Sequence, residues 1–379
     1  MVQPASRQRA TRVLIVDDSP VERALLSRIL ARDPGIEVVG AAASAEEARQ
    51  RIRALDPDVL TLDIQMPGMD GLQFLRNLMR LRPMPVIMCS WATAKGADVT
   101  LEALSHGAFD FVTKPPRIEA ASLTEFSGRL IGKIRVAARS RLRVKRAVDP
   151  TAADPQELPD LPAPRRDVAE LSAVLPELAG AARVRSGQRI IAIGSSTGGP
   201  DALHQVVTRL PGTVPCIVIA QHMPAGFTRA LANRLDHAAQ MQVKEAEHGE
   251  TLQPGCAYVA PGGRHLAVER RDTDLVARVF DAAAVNYSKP SVDVLFRSVA
   301  QAAGAMSIGV LLTGMGSDGA QGMLEMRQAG GRTVAQDEAS SLVWGMPGSA
   351  VRLGAAEAVS PLDKVAEMVI GLLPKSALG

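Results

Sequence analysis

Residues 190–199, IIAIGSSTGG, constrain this chain more than any other stretch. Ile190, Ile191, Ala192 and Ile193 are all apolar, the pattern of a short strand buried on both faces. Gly194 ends the run, and Ser195, Ser196 and Thr197 form a turn. Gly198 and Gly199 then remove side chains where a helix begins, with Pro200 near its first turn. A strand, a tight turn and a helix place the turn's hydroxyls at the carboxyl end of a sheet, where open α/β sheets carry their sites. The logic is that of a nucleophile elbow, although G-x-S-x-G is not literally met. A phosphate cradle fits less well, because no Lys follows the glycines and G-x-G-x-x-G is absent. Alone, the segment reads equally as a nucleophile turn or as a structural or phosphate-binding turn.

At 379 residues the chain exceeds one ordinary core, so two domains are expected. Only 3% of residues are aromatic, so the cores must be built from Val, Ile, Leu, Ala and Met. A net charge of +3 is too small to argue for a nucleic-acid partner. The widely spaced Cys89, Cys216 and Cys256 read as buried reduced thiols, and hence a cytoplasmic protein. No run approaches the roughly 18 apolar residues of a membrane span, so no membrane insertion is expected. The N-terminal MVQPASRQRATR lacks the apolar core of a signal peptide.

The first third alternates strands and helices. RVLIVDD is a buried strand ending in Asp17 and Asp18; Ser19 is a natural N-cap with Pro20 at the first helical position. Further strands are expected at residues 36–42, at DVLTLD ending on Asp63, at PVIMCS ending on Ser90, and at FDFVTK ending on Lys114. The βαβ alternation predicts a doubly wound parallel sheet. Asp17, Asp18 and Asp63 then converge on one edge, with Ser90 and Lys114 beside them. Crowded carboxylates repel, and oxygen ligands with water suit Mg²⁺. Each residue alone reads more readily as a solvated loop group; five at the ends of four strands do not.

Across residues 11–140 the chain resembles a response-regulator receiver domain. The match rests on Asp17–Asp18, Asp63 before the M-P-x-M-D-G turn, Ser90, and Lys114 before Pro115. The resemblance implies that Asp63 accepts a phosphoryl group from a chemotaxis histidine kinase. It also implies that Asp18, Asp63 and the Gln65 carbonyl hold Mg²⁺, with Asp17 close by. Ser90, Phe111 and Lys114 take the positions of the phosphoryl switch. Gln65 and Trp91 stand where the family more often has Glu and Ser.

SLTEFSGRLIGKIRVAARSRLRVKR reads as the closing helix of this domain, and its basic cluster as a solvated face rather than a nucleic-acid site. Residues 141–187 form a Pro-rich linker that carries short helical pieces. A composition break near Gln188 opens the second domain.

There the strand–turn–helix pattern recurs. CIVIAQHM ends at Gln221 and His222; SIGVLLTGMGSDGA ends in a Gly-rich turn with Asp318. Between them MQVKEAE, AYVAPGG, RHLAVER and LVARVF read as short strands, some paired in a hairpin. Ser196, His222 and Asp318 therefore each follow a different apolar strand, as a Ser-His-Asp triad requires. Serine needs a base, His222 would take and return its proton, and Asp318 would fix the imidazole. The glycine-rich turns suit an oxyanion hole. Singly, each has a bland reading: a turn serine, a loop histidine, an Asx turn.

From residue 188 to 373 the chain resembles the catalytic domain of the chemotaxis protein-glutamate methylesterase family. The motifs are I-G-S-S-T-G-G, Q-H-M-P-x-G-F-T, Y-V-A-P-G-G, K-P-S-V-D-V-L-F, L-T-G-M-G-S-D-G and Q-D-E-A-S-S-L-V-W-G-M-P. The resemblance implies Ser196 as nucleophile, His222 as base and Asp318 as acid, with Thr197 and Met315 around the histidine and oxyanion. It implies two doubly wound α/β domains, a flavodoxin-like receiver and a Rossmann-like esterase. The expected substrates are methyl-accepting chemotaxis receptors, demethylated at glutamate γ-methyl esters and deamidated at glutamines, with no cofactor for the esterase step. Phosphorylation of Asp63 is expected to raise activity by moving the receiver off the active site. Ser195 stands where the family usually has Ala, so two adjacent hydroxyls leave the motif ambiguous by one position. A hydrolase of another ester, or a binding module with a vestigial triad, are the other readings.

Overall fold

The computed structural model describes residues 9–66, 70–91, 93–115, 119–148 and 188–374. The linker beyond Val148, with its expected helical pieces, and the centre of the M-P-x-M-D-G turn lie outside the described residues. The chain divides into two compact units, one on each side of a point between Gln156 and Glu157.

In the first unit the strands are β1 (Thr11–Val16), β2 (Ile36–Ala42), β3 (Val59–Asp63), β4 (Val86–Trp91) and β5 (Asp110–Lys114). The helices are α1 (Pro20–Leu30), α2 (Ala45–Leu55), α3 (Gly71–Leu81), α4 (Ala94–Ser105) and α5 (Ala120–Val148). Local chemistry sets most helix starts. The side chains of Ser19, Ser44, Asp70 and Thr93 each accept a backbone N–H three residues on, which satisfies one of the donors a helix leaves open. The strands pair in parallel in the order β2-β1-β3-β4-β5, the flavodoxin-like winding. Strand β4 runs one residue past Ser90, and α5 continues past residue 140 to Val148.

The second unit carries β6 (Ile190–Ser195), α6 (Gly199–Val207), β7 (Cys216–Gln221), α7 (Phe227–Asp236), β8 (Gln242–Glu245) and β9 (Cys256–Val259). There follow β10 (His265–Arg271), β11 (Asp274–Phe280), α8 (Val292–Ala303), β12 (Ser307–Leu311), α9 (Ala320–Gln328), β13 (Arg332–Gln336), α10 (Met346–Arg352), β14 (Ala358–Ser360) and α11 (Leu362–Leu372). Seven strands form one parallel sheet in the order β14-β13-β12-β6-β7-β9-β8. Of the expected hairpin strands, β10 and β11 pair antiparallel as a separate ribbon, while β8 and β9 join the main sheet.

This order positions the site. The chain winds outward from β6 through β7, then returns to the other side of β6 with β12. The crevice beyond the carboxyl ends of β6 and β12 is thus a topological switch point, the place where open α/β sheets bind ligands. Strand β6 is wholly buried, consistent with its unbroken apolar run. Helix α8 packs beside it and α9 packs on α8 and β12, and Val292, Phe296, Leu311 and Met323 lie in the same core. All three cysteines are buried and unpaired. No helix among the described residues is long and apolar enough to cross a membrane.

Candidate active site and phosphoacceptor site

The two adjacent serines have opposite surroundings. Ser195 is the last residue of β6 and is fully buried; its Oγ donates to Gln221 Oε1 at 2.6 Å. Gln221 is also buried, and its Nε2 donates to the carbonyl of Ser196 at 2.9 Å. Ser196 is half-buried, and its Oγ has no hydrogen-bond partner among the described residues. Its backbone is held tightly: its N–H donates to Thr313 O at 3.0 Å, and its carbonyl accepts the Gly199 N–H at 2.8 Å. A side-chain carbon added at Gly199 would lie 1.9 Å from Gln221 Oε1, so only glycine lets α6 start there.

His222 is the neighbour of Ser196 by register. Ser195 and Gln221 are paired across β6 and β7, and the His222 N–H donates to Ser195 O at 3.1 Å. Neighbouring strands lie about 4.8 Å apart, so the next residues of each, Ser196 and His222, emerge side by side. The imidazole Nε2 is 2.7 Å from Asp318 Oδ2, and Nδ1 is 3.3 Å from Ser288 Oγ. No hydrogen bond joins His222 to Ser196.

Asp318 is buried. Its Oδ1 accepts from Ser291 Oγ at 2.8 Å, Asn286 Nδ2 at 3.0 Å and the Asp293 N–H at 3.2 Å. Its Oδ2 accepts the Val292 N–H at 2.7 Å besides the imidazole. The carboxylate therefore faces the N-terminus of α8, where open N–H groups and the helix dipole favour a negative charge. Burial alone would raise its pKa; the hydrogen bonds and charge of His222, with those from Asn286 and Val292, outweigh it and hold the carboxyl below its ordinary range. The neighbouring Asp293 goes the other way: burial first, then the charge of Asp318, push its carboxyl well above the ordinary range.

Thr197 is buried, and its carbonyl accepts from Thr313 Oγ1 at 3.0 Å. Met315 is half-buried in the turn after β12. That turn abuts the turn that carries Ser196, since a side-chain carbon on Gly314 would lie 2.8 Å from Ser196 Cβ.

In the first unit, Asp17, Asp18 and Asp63 each offer an oxygen within 4.8 Å of the others. This hard-oxygen donor set fits Mg²⁺. Lys114 Nζ is 2.9 Å from Asp17 Oδ2 and 2.8 Å from Asp63 Oδ1, and it also pairs with Glu22. Burial would lower the Lys114 pKa, but Asp63, Glu22 and Asp17 hold it above its usual value. Burial pushes Asp63 above the usual carboxylate range against the pull of Lys114. Asp63 Oδ2 accepts the Gln65 N–H at 3.2 Å. Ser90 is buried with its Oγ on the Trp91 carbonyl at 3.3 Å, and Phe111 is buried on β5 beneath the Lys133 ammonium, 5.3 Å from the ring centre.

Residues 13–123 match the response regulator receiver domain model, and residues 191–369 match that of the CheB methylesterase. Over 361 residues the chain is 50% identical to protein-glutamate methylesterase/protein-glutamine glutaminase 1 of Xanthomonas campestris pv. campestris, covering 95% of this chain and 97% of that one. The chain belongs to the protein-glutamate methylesterase/protein-glutamine glutaminase family. A family member from Hydrogenovibrio crunogenus is 44% identical over 372 residues, 96% of this chain and 99% of its own. The crystal structure of the Thermotoga maritima CheB methylesterase catalytic domain is 40% identical and covers 50% of this chain and all of that one, with a TM-score of 0.48.

Within this methylesterase-family chain, sequence reasoning passed over four side chains that touch the site: Gln221, Asn286, Ser288 and Ser291. Gln221 and Ser291 lie inside the Q-H-M-P and K-P-S-V-D motifs, which was their only signal. Asn286 and Ser288 precede the second motif and carry no periodicity of their own.

Proposed function

We propose that this chain hydrolyses glutamate γ-methyl esters on methyl-accepting chemotaxis receptors and deamidates glutamines there, under control of phosphorylation at Asp63. The observation that carries the reading is the His222–Asp318 pair at 2.7 Å, set one register step from a serine whose Oγ is unengaged. Ser196 Oγ attacks the ester carbonyl carbon, and its proton passes to the lone pair of His222. Asp318 stays ionised and stabilises the imidazolium. Backbone N–H groups of the glycine-rich turns bearing Thr197 and Met315 stabilise the oxyanion. The C–OCH₃ bond breaks, and the imidazolium proton leaves with methoxide as methanol. Water then attacks the acyl-enzyme, gives its proton to His222, and frees glutamate and Ser196. With glutamine, ammonia leaves instead.

At the phosphoacceptor site Asp63 takes the phosphoryl group from a histidine kinase. Lys114, already between Asp17 and Asp63, pairs with the added charge, and Ser90 and Phe111 relay it. Asp18 and Asp63 with the Gln65 carbonyl would hold Mg²⁺, with Asp17 beside them; the ion supplies neutralisation of phosphoryl charge. The domains divide as a receiver over 11–140, a linker over 141–187 and the esterase over 188–373. The protein acts in the cytoplasm.

Methanol release from methylated receptor, with and without a small phosphodonor, tests both halves. The expected result is release that requires Ser196 and rises with the donor only when Asp63 is present. Absence of release from wild type under both conditions rejects the substrate; equal release under both rejects the control.

A further inference from the structure

Residues 285–288 form a tight turn between β11 and α8. The Val285 N–H donates to Ser288 O at 3.1 Å, and the Ser288 N–H to Val285 O at 2.9 Å. The two residues between them are left-handed, Asn286 at φ +51° and Tyr287 at φ +61°. A two-residue turn of this kind favours Asn first but Gly second. Tyr287 is 97% exposed, so its own packing does not hold the turn in that conformation. What the turn does hold is two flanking side chains. Asn286 Nδ2 lies 2.7 Å from Asp293 Oδ2 and 3.0 Å from Asp318 Oδ1, giving one amide hydrogen to each carboxylate. Ser288 Oγ lies 3.3 Å from His222 Nδ1, the ring nitrogen opposite the one on Asp318.

The geometry points to Asn286 and Ser288 as further positioning residues for the esterase reaction, a turn that clamps the His222–Asp318 pair at both ends. This rests on the triad proposed above. Among the described residues Asn286 is the one side-chain donor shared by the two carboxyl groups buried side by side; without it Asp318 loses one of its three Oδ1 donors and its tie to Asp293. Asp293 Oδ1 is itself anchored by the Gly322 N–H at 2.7 Å, so the turn ties Asp318 to α9. With Nε2–H donating to Asp318, Nδ1 is the lone-pair nitrogen; the one Ser288 hydroxyl hydrogen has two acceptors in reach, Nδ1 at 3.3 Å and the Asn286 carbonyl at 3.4 Å, and it serves the base when it points to Nδ1. That bond keeps the ring proton on Nε2 and the base lone pair aimed out of the pair until Ser196 takes it over. Behind the pair sits His265, whose Nδ1 accepts the Ser291 N–H at 3.2 Å and whose Nε2 is 3.0 Å from Ala283 O. Burial lowers its pKa, so it brings no charge to the pair at neutral pH.

The test uses the full chain and the rate at which a fluorophosphonate modifies Ser196, measured against pH, with a thermal melt for each variant. Asn286→Gly keeps the left-handed backbone and removes both donors. Ser288→Ala removes the hydroxyl. Each is expected to slow modification about tenfold. Asn286→Gly should also move the acid limb of the profile to higher pH, because a less solvated Asp318 binds the imidazolium more strongly. The double variant should be little slower than the worse single one, since both act through one pair. Folded variants with the wild-type rate and profile overturn the proposal. If Asn286→Gly does not fold, Ser288→Ala decides: a slower rate supports the clamp, and a wild-type rate and profile overturn it. Wild type that is modified at Ser196 yet releases no methanol from receptor rejects the substrate and leaves the clamp standing. Wild type that is not modified at Ser196 overturns clamp and triad together.

Discussion

Replacing each of the two adjacent serines should separate stability from catalysis. In Ser195→Ala, Gln221 Oε1 loses a donor at 2.6 Å in a site where both residues are at most 2% exposed. An acceptor left buried without its partner costs about 1–3 kcal/mol. For a domain of this size each kcal/mol moves the melting temperature by about 2–4 °C, so the expected loss is about 2–12 °C. Catalysis should fall by at most about tenfold, because Gln221 still reaches the Ser196 carbonyl through Nε2. Ser196→Ala is the converse. Its half-buried Oγ has no partner to strand, so stability should change by no more than about 0.5 kcal/mol. Turnover should drop about 10³-fold or more. Calorimetry and methanol release on the same preparations read both quantities, and mass spectrometry of a fluorophosphonate adduct reads the position. An adduct on Ser195, or a Ser195→Ala protein that melts normally but is inactive, would refute the reasoning.

His222→Gln and Asp318→Asn should each cost nearly as much turnover as the double variant; losses that multiply would mean independent roles. The lowered pKa of Asp318 contributes stability that is present above the unfolded aspartate value of about 3.9 and is lost as pH falls through the lower folded value. Urea midpoints across acidic pH should therefore fall more steeply for wild type than for Asp318→Asn, and parallel curves would sink this account. Asp63→Asn should abolish phosphate incorporation from a small donor, and Asp18→Asn should weaken Mg²⁺ binding in calorimetric titration; incorporation at wild-type stoichiometry in the former counts against the assignment.

Much of this protein is written locally. Strands β1, β6 and β12 carry unbroken apolar runs, β3 one broken only by Thr61, and helix starts are marked by Ser19, Ser44, Asp70, Thr93 and Ser291, whose caps reach only three residues along the chain. Such signals place Asp17, Asp63, Lys114, Ser196 and His222 at or one residue past strand ends, where a polar residue stops an apolar run, and Asp318 in the Gly-rich turn between β12 and α9. Strand neighbours are a different matter. A buried parallel strand presents the same apolar pattern whichever strand it pairs with, so the placing of β6 between β12 and β7, and of β8 and β9 in the main sheet beside a separate β10–β11 ribbon, was decided only by tertiary packing. The same holds for the two serines, which are equivalent as letters. Gln221, 26 residues from Ser195, ties off its hydroxyl and leaves that of Ser196 open. Ser288 meets His222 across 66 residues and Asn286 meets Asp318 across 32. These contacts exist because the sheet order brings three strand ends together at one switch point, and no local period can encode which distant side chains a crevice will collect.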